Sequence, residues 1–292
     1  MELSVYLQDL LQATVKQLIA LQASALAGSD PEPLHQLRIQ LRRLALLLEL
    51  FEPVARWPEG VSSSRAEKVC RRLGMARDLD VLRDRLEHVF LPQLPEDEIN
   101  ALKGVRKQLK RERRLAIAEV EDALRGRRYL KLLARLQAWL KEPRFTSLGS
   151  EPLDAWMLEF HAPLISDLFL LPGWRSESAS DLHQLRQRLK RCRYGLALSP
   201  GPHLLPWLAQ LKRSQQLLGE LNDLHVFELA LDAGRSFQPD VNCPVLTSLV
   251  ASQRHVALLQ WRDLAAQWST PSTRLSFHQA LLAPGVGGLT RP

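Results

Sequence analysis

Apolar residues recur at spacings of three and four along almost the whole chain. In PEPLHQLRIQLRRLALLLEL (31–50) the leucines at 34, 37, 41, 44 and 48 form one stripe, as on an amphipathic helix. No run alternates convincingly in the strand manner, and there is no Asn-Gly or Asp-Gly hairpin turn. The pattern predicts helices over 3–27, 32–52, 62–90, 96–123, 127–141, 152–170, 180–199, 204–232, 243–268 and 273–283. Breaks fall at Gly28-Ser29-Asp30-Pro31, Pro53, Pro58-Glu59-Gly60, Pro92 to Pro95, Gly126, Pro172-Gly173, Pro200-Gly201-Pro202, Pro239 and Pro271. Asp30 before Pro31 reads as an N-cap with proline at the first helical position. KEPRFTSLGSEP (141–152) is the best linker candidate. The fold class predicted is all-α.

The second half then repeats the first. LHQLRIQLRRLALLLEL (34–50) aligns with LHQLRQRLKRCRYGLAL (182–198), and LGMARDLDVL (73–82) with LGELNDLHVF (218–227). The offsets are 148 and 145 residues. A weaker echo links RRYLKLLARL (127–136) to TRLSFHQALL (273–282). Two blocks in the same order at nearly the same offset predict a tandem duplication: two four-helix bundles, 1–146 and 147–292, related by a pseudo-twofold axis.

The polar faces of the repeated helix match as well. With His35 set at zero and about 100° per residue, Arg38 and Arg42 fall beside it, opposite the leucine stripe, and Arg43 lies to one flank. In the second copy His183, Arg186, Lys190 and Arg193 form the polar stripe against Leu182, Leu185, Leu189, Cys192 and Leu196. Core positions have a packing reason to stay apolar after duplication; solvated charges have none to agree. The agreement of His35 with His183, Arg38 with Arg186 and Arg42 with Lys190 therefore predicts two cationic stripes lining one shared groove. Further positive charge lies on Lys103, Arg106, Lys107, Lys110 and Arg114, which share one helix face flanked by Arg111 and Arg113. Arg65, Lys68 and Arg72 make another stripe, in which Lys68 matches Arg213. Like charges at i,i+4 destabilise a helix by a few tenths of a kcal/mol, so a face that repeats them suits an anionic ligand. Asp78 and Asp223 also match, as do Gly74 and Gly219. The acids suit helix-to-helix ion pairs and the glycines a close approach of two helices, so neither pair is assigned a ligand.

Composition narrows the ligand. The 292 residues carry a formal charge of +7, and their pI is near 9.6, which favours an acidic partner. Residues 1–146 hold 26 Lys and Arg against 20 Asp and Glu, and the remainder 13 against 12, so the groove is expected to be more basic on the first-half side. Three separated cysteines, Cys70, Cys192 and Cys243, offer neither a disulfide framework nor a zinc motif. The N-terminus has an early acid, no basic region and no cleavage site, so no signal peptide is expected. No uncharged run approaches a membrane span. A cytoplasmic protein without a membrane partner is the expectation.

No Walker A loop, GxGxxG, HExxH, EF-hand or GxSxG motif occurs. Phosphoryl transfer needs its developing charge neutralised, usually by metal ions, and no carboxylates stand out to hold them. The expectation is binding without catalysis, and neither a cofactor nor a metal site is predicted. Nucleic acid is disfavoured, because the basic stripes contain almost none of the aromatic platforms on which single strands stack, Tyr194 and Tyr129 being the nearest; Trp139, Trp156, Trp207 and Trp261 read as core or rim. An enzyme acting on phosphate chains, or an adaptor for nucleic acid or an acidic protein, remains the alternative.

LHQLRIQLRRL followed by LGMARDLDVL, and LHQLRQRLKRCRY followed by LKRSQQLLGELND, resemble the CHAD domain, the conserved histidine α-helical domain. RGRRYLKLLARLQAW (125–139) resembles the family's later segment, and the resemblance runs from about residue 3 to 283. It implies two four-helix bundles with a basic groove between them, inorganic polyphosphate as ligand, and association with polyphosphate granules. By position it points to His35, Arg38, Arg42 and Arg43 in the first motif. In the second it points to His183, Arg186, Lys190, Arg191 and Arg193, and beyond these to Lys68 and Arg213. The chain departs from an even division in the helix at 243–268, which offers only Arg254, His255 and Arg262, and in the weakly basic TRLSFHQALLA.

Overall fold

The computed structural model describes residues 1–28, 30–198, 201–232, 237, 239 and 242–282. Their α-helices run in the order α1 (Leu3–Ala27), α2 (Pro31–Leu50), α3 (Ser63–Arg72), α4 (Gly74–Asp84), α5 (Glu96–Ala101), α6 (Lys103–Arg125), α7 (Arg127–Lys141), α8 (Leu153–Ile165), α9 (Ala179–Leu196), α10 (Leu205–Leu231), α11 (Pro244–Ser269) and α12 (Pro271–Leu282). Among the described residues extended pairing is limited to isolated bridges, Glu2 with Pro152 and Ala55 with Phe145. The all-α class is thus the observed one. The predicted helix ends at Ser199 and Ala283, and the breaks at Ser29 and Pro200, lie outside the described residues.

Three predicted helices are divided. The stretch 62–90 becomes α3, α4 and a π-helical turn (Arg85–Phe90), and 96–123 becomes α5 and α6. Buried Leu73 and Leu102 stand at these breaks and carry the apolar stripe across them, so periodicity alone joins the pieces. Gly74 and Gly104 follow within two residues. The stretch 152–170 ends as α8 at Ile165, where Pro163 has removed a backbone donor. Caps fix the two repeated helices. Asp30 accepts from the Glu32 amide at 2.9 Å with Pro31 at the first helical position, and Ser178 accepts from the Asp181 amide at 3.2 Å.

The predicted leucine stripes are the buried ones. Leu34, Leu37, Leu41, Leu44 and Leu48 of α2 are buried, as are Leu182, Leu185, Leu189, Cys192 and Leu196 of α9. The apolar interior forms two clusters. The larger joins α1–α7 and also takes in Leu224, Phe227, Leu246 and Val250, while the smaller gathers α8–α12 around Trp174, Trp261, Trp268 and Phe277, with Leu46 inserted from α2. Trp139 and Trp261 are core; Trp156 and Trp207 are partly buried at the edge of it. Cys70, Cys192 and Cys243 are buried and make no disulfide.

Helices α2 and α9 pack together, and α4 packs on α10. Polar links reinforce this junction. Arg85 grips the Glu220 carboxylate with both terminal nitrogens at 2.9 and 2.5 Å, and Arg191 grips Glu49 at 2.7 and 2.6 Å. Buried Glu98 accepts from the amides of Val245 (2.7 Å) and Leu246 (2.9 Å). A side chain of α5 therefore caps α11, where the positive end of the helix dipole favours its charge. Glu98→Ala leaves these amides buried without an acceptor. It is expected to lower the unfolding free energy by about 2 kcal/mol, measured by urea titration, with Glu98→Gln losing less.

Candidate functional site

Because the leucine faces of α2 and α9 point into the cores, their polar faces are free to meet. They line a cleft of about 430 Å³ together with α4 and α10. His35, Arg38 and Arg42 come from α2, and His183, Arg186 and Lys190 from α9. The two stripes read from the repeat thus share one wall-to-wall site. Gly74 makes room for an arginine and not, as expected, for another helix, whereas Gly219 would admit a Cβ at ordinary contact distance. A Cβ at Gly74 would stand 3.1 Å from Arg38 Nη1, and one at Gly219 would stand 3.9 Å from Arg186 Nε.

The cleft holds its cations at a cost. Arg38 Nη1 and Arg186 Nε are buried without a hydrogen-bond partner among the described residues. Burial lowers the pKa of Arg38 and of Arg186, and Arg42 lowers both further. Lys190 is held down to about 7, first by burial and then by Arg186 and Arg42. His35 lies below its ordinary value because of burial and the neighbouring Arg77. His183 is exposed, with Nδ1 2.9 Å from Asn222 Oδ1.

Two carboxylates enter the same space. Asp223 lies 3.9 Å from Arg186. Asp78 is accessible along its edge yet walled in enough that desolvation raises its pKa, against the pull of Arg38. Asp223 raises it further, so the two acids feel each other across the cleft. The helix-to-helix ion pair expected of Asp223 is thus present, from α10 to Arg186 of α9, and both acids also line the cleft and partly offset its charge.

A second hollow, of about 360 Å³, opens beside the first and shares Arg38, Arg42, Gln187, Lys190 and Tyr194 with it. Arg191 lines this one, where both its terminal nitrogens are held by Glu49. Arg193 bonds Gln215 at 2.7 Å and covers the Tyr194 ring at 4.6 Å, two groups that line the cleft. It steadies the wall from behind.

The other predicted residues lie outside this lining. Arg43 is half-buried on the α1 side, where its charge opposes the burial that pushes Tyr6 up to about 12. Lys68 is exposed on α3, and Arg72 is paired with Asp122. Lys103, Arg106, Lys107, Lys110 and Arg114 are all exposed along α6. Arg213 lines a separate hollow with Trp207 and Gln267. Conversely, Arg77, Gln187 and Asn222 line the cleft and were not singled out, and Tyr194, the aromatic expected nearest the stripes, lines it as well. For Arg77 the signal was present, since it directly precedes Asp78 in the repeated block.

The family model of the CHAD domain matches residues 9–232. The crystal structure of the CHAD domain from the plant Ricinus communis superposes with a TM-score of 0.63 at 26% identity, over 97% of this chain and 92% of that one. PptA from Streptomyces chartreusis superposes with a TM-score of 0.64 at 20% identity, over 97% of this chain and 100% of that one, a likeness of fold. No curated protein matches the chain. No helix among the described residues is long and apolar enough to cross a membrane.

The desolvated lysine gives a stability prediction. Lys190 titrates near 7 when folded and near its ordinary 10.5 when unfolded. Between those values the unfolded chain holds the extra proton, so this group's contribution to stability rises with pH and its penalty is complete below pH 7. Lys190→Met is expected to raise the Tm of the free protein at neutral pH, by ~3 °C for each kcal/mol relieved. The gain should shrink towards pH 10, as followed by thermal melts across that range.

Proposed function

The chain belongs to the CHAD domain family, and on that premise we propose that it binds inorganic polyphosphate in the cleft between α2 and α9. The observation that carries this reading is the convergence of Arg38, Arg42, Arg186 and Lys190, with guanidinium nitrogens of Arg38 and Arg186 buried and unbonded. A phosphate chain offers oxygens at short intervals along its length. Arginine can engage two of them in fork geometry, while lysine acts as a point charge. Each phosphate that enters can be met by the accessible parts of Arg38, Arg42 and Arg186, which are only partly buried. It also spreads negative charge over neighbours that otherwise repel. The exposed row from Lys103 to Arg114 on α6 would extend the contact outside the cleft for a long chain, and would do so on the more basic first-half side. Such binding would seat the protein on polyphosphate granules and needs no turnover.

One observation favours the rival reading of a phosphate-chain-processing enzyme: Asp78 and Asp223 face the same space. That reading predicts metal-dependent phosphate release, measurable with long-chain polyphosphate and Mg²⁺. Binding without release is the outcome expected here.

The binding test is a calorimetric titration with long-chain polyphosphate at several salt concentrations, with single-stranded DNA as competitor. Log affinity should fall linearly with log salt, by counterion release, and DNA should displace the polymer poorly. Arg38→Ala and Arg186→Ala should each weaken binding about tenfold, about 1.4 kcal/mol. No binding at low salt would sink the proposal, and equal competition by DNA would favour the adaptor.

Protonation gives a separate check. Bound phosphate raises the pKa of Lys190 from about 7 and that of His35 from below its ordinary value. Binding at pH 8 should therefore take up protons, visible as a buffer-dependent heat, and affinity should rise from pH 9 down to 6. Affinity unchanged over that span would remove Lys190 and His35 from direct contact.

A further inference from the structure

The buried positions of α6 and α11 coincide when shifted by 141 residues. Val105, Leu109, Ala116, Val120, Ala123 and Leu124 fall on Leu246, Val250, Ala257, Trp261, Leu264 and Ala265. In this register Arg113 corresponds to Arg254. The RDLD and NDLH blocks likewise set Asp80 of α4 against His225 of α10. In the first half these positions form an internal ion pair. Arg113 Nε donates to Asp80 Oδ1 at 2.5 Å, its Nη2 donates to the Gly28 carbonyl at 3.1 Å, and the Asp80 side chain is 1% exposed.

At the matching positions the second half holds His225 in place of the acid and Arg254 in place of Arg113. Arg254 and His225 open onto a pocket of about 500 Å³ between α9, α10 and α11, with Leu218, Leu221 and Leu258 among its apolar walls. Its volume lies within the range of small-molecule sites, about 300–1,000 Å³. Arg254 makes no hydrogen bond or ion pair with any described residue. The acids nearby do not replace Asp80. Glu228 stands 4.0 Å from His225, and Glu177, which feels Arg254, is bonded to Arg262.

We infer that this pocket is a second ligand site, taking a small monocarboxylate with an apolar body, whose head meets Arg254 beside His225 and supplies the negative charge that Asp80 supplies to Arg113 in the first half. Arg254 supplies the fork for the carboxylate, and the leucines cover the body. The pocket borders the central cleft through His183 and Asn222, which line both. Arg254 and His225 line only the pocket, so the inference stands apart from polyphosphate binding.

Calorimetry of the whole chain with octanoate, and with octanol as the uncharged control, tests the site. Octanoate should bind at millimolar concentration and octanol at least tenfold more weakly. Arg254→Gln should weaken octanoate at least tenfold. His225→Asp returns the acid of the first half to this position, so it should abolish octanoate binding and raise the Tm. Polyphosphate titration of both variants should match the parent chain, which separates a failure here from a failure of the cleft. Circular dichroism establishes that each variant is folded; if His225→Asp does not fold, Arg254→Gln decides alone. No octanoate binding, octanol binding as tightly, or full affinity in Arg254→Gln would overturn the inference.

Discussion

Like charges can be crowded into a partly desolvated space only if something else fixes the helices that carry them. In this chain that anchor is the leucine face. The apolar stripe of each of α2 and α9 holds five buried residues, and because the two helices also pack on each other their polar sides come together. Fully burying a leucine is worth roughly 1.5–3 kcal/mol, so either face outweighs the repulsion among the few cations opposite it. The cleft is therefore a by-product of core packing in position and a departure from it in chemistry. The unbonded guanidinium nitrogens of Arg38 and Arg186 and the lowered pKa of Lys190 record what the site costs the free protein. Such strain is commonly kept where a ligand relieves it.

The links that span the two halves are of a different kind. Arg85 with Glu220 and Arg191 with Glu49 are paired and bidentate, and Glu98 has its two amides. These charges are satisfied within the chain and hold the junction closed. The cations of the cleft lack such pairing. Sorting charged residues by whether their partner is internal separates the joint from the site more sharply than charge density does. The dense row on α6 is the most basic stretch of sequence, yet its side chains lie exposed and outside the cleft lining.

The helical class and the central six residues were legible because they rest on periodicity and on agreement between two similar helical segments, 34–50 and 182–198. Leucine spacing set which side of α2 and α9 faces inward, and the matched His, Arg and Lys positions set what faces the cleft. The breaks at Leu73 and Leu102 were not legible, since an apolar residue at a kink preserves the stripe. Nor were the destinations of Arg72 and Arg113, whose carboxylate partners, Asp122 and Asp80, lie 50 and 33 residues away. Spacing within one helix carries no information about a partner on another. Asp78 and Asp223 were matched in sequence but placed by reasoning about pairs, and their shared cleft emerges only when α4 meets α10.

The two helical glycines bear on how this protein could be altered. A search for stabilising changes by helix propensity would nominate Gly219 first, since a glycine costs about 1 kcal/mol in a helix interior, and Gly74, the first residue of α4, after it. At Gly219 the added methyl would meet Arg186 at ordinary contact distance, 3.9 Å, and the helix would gain. At Gly74 it would press on Arg38 at 3.1 Å, and the guanidinium would have to give way. One site can be made more rigid at no loss, while the other sets the depth at which an arginine sits, so robustness and recognition are in conflict on one side of the cleft only.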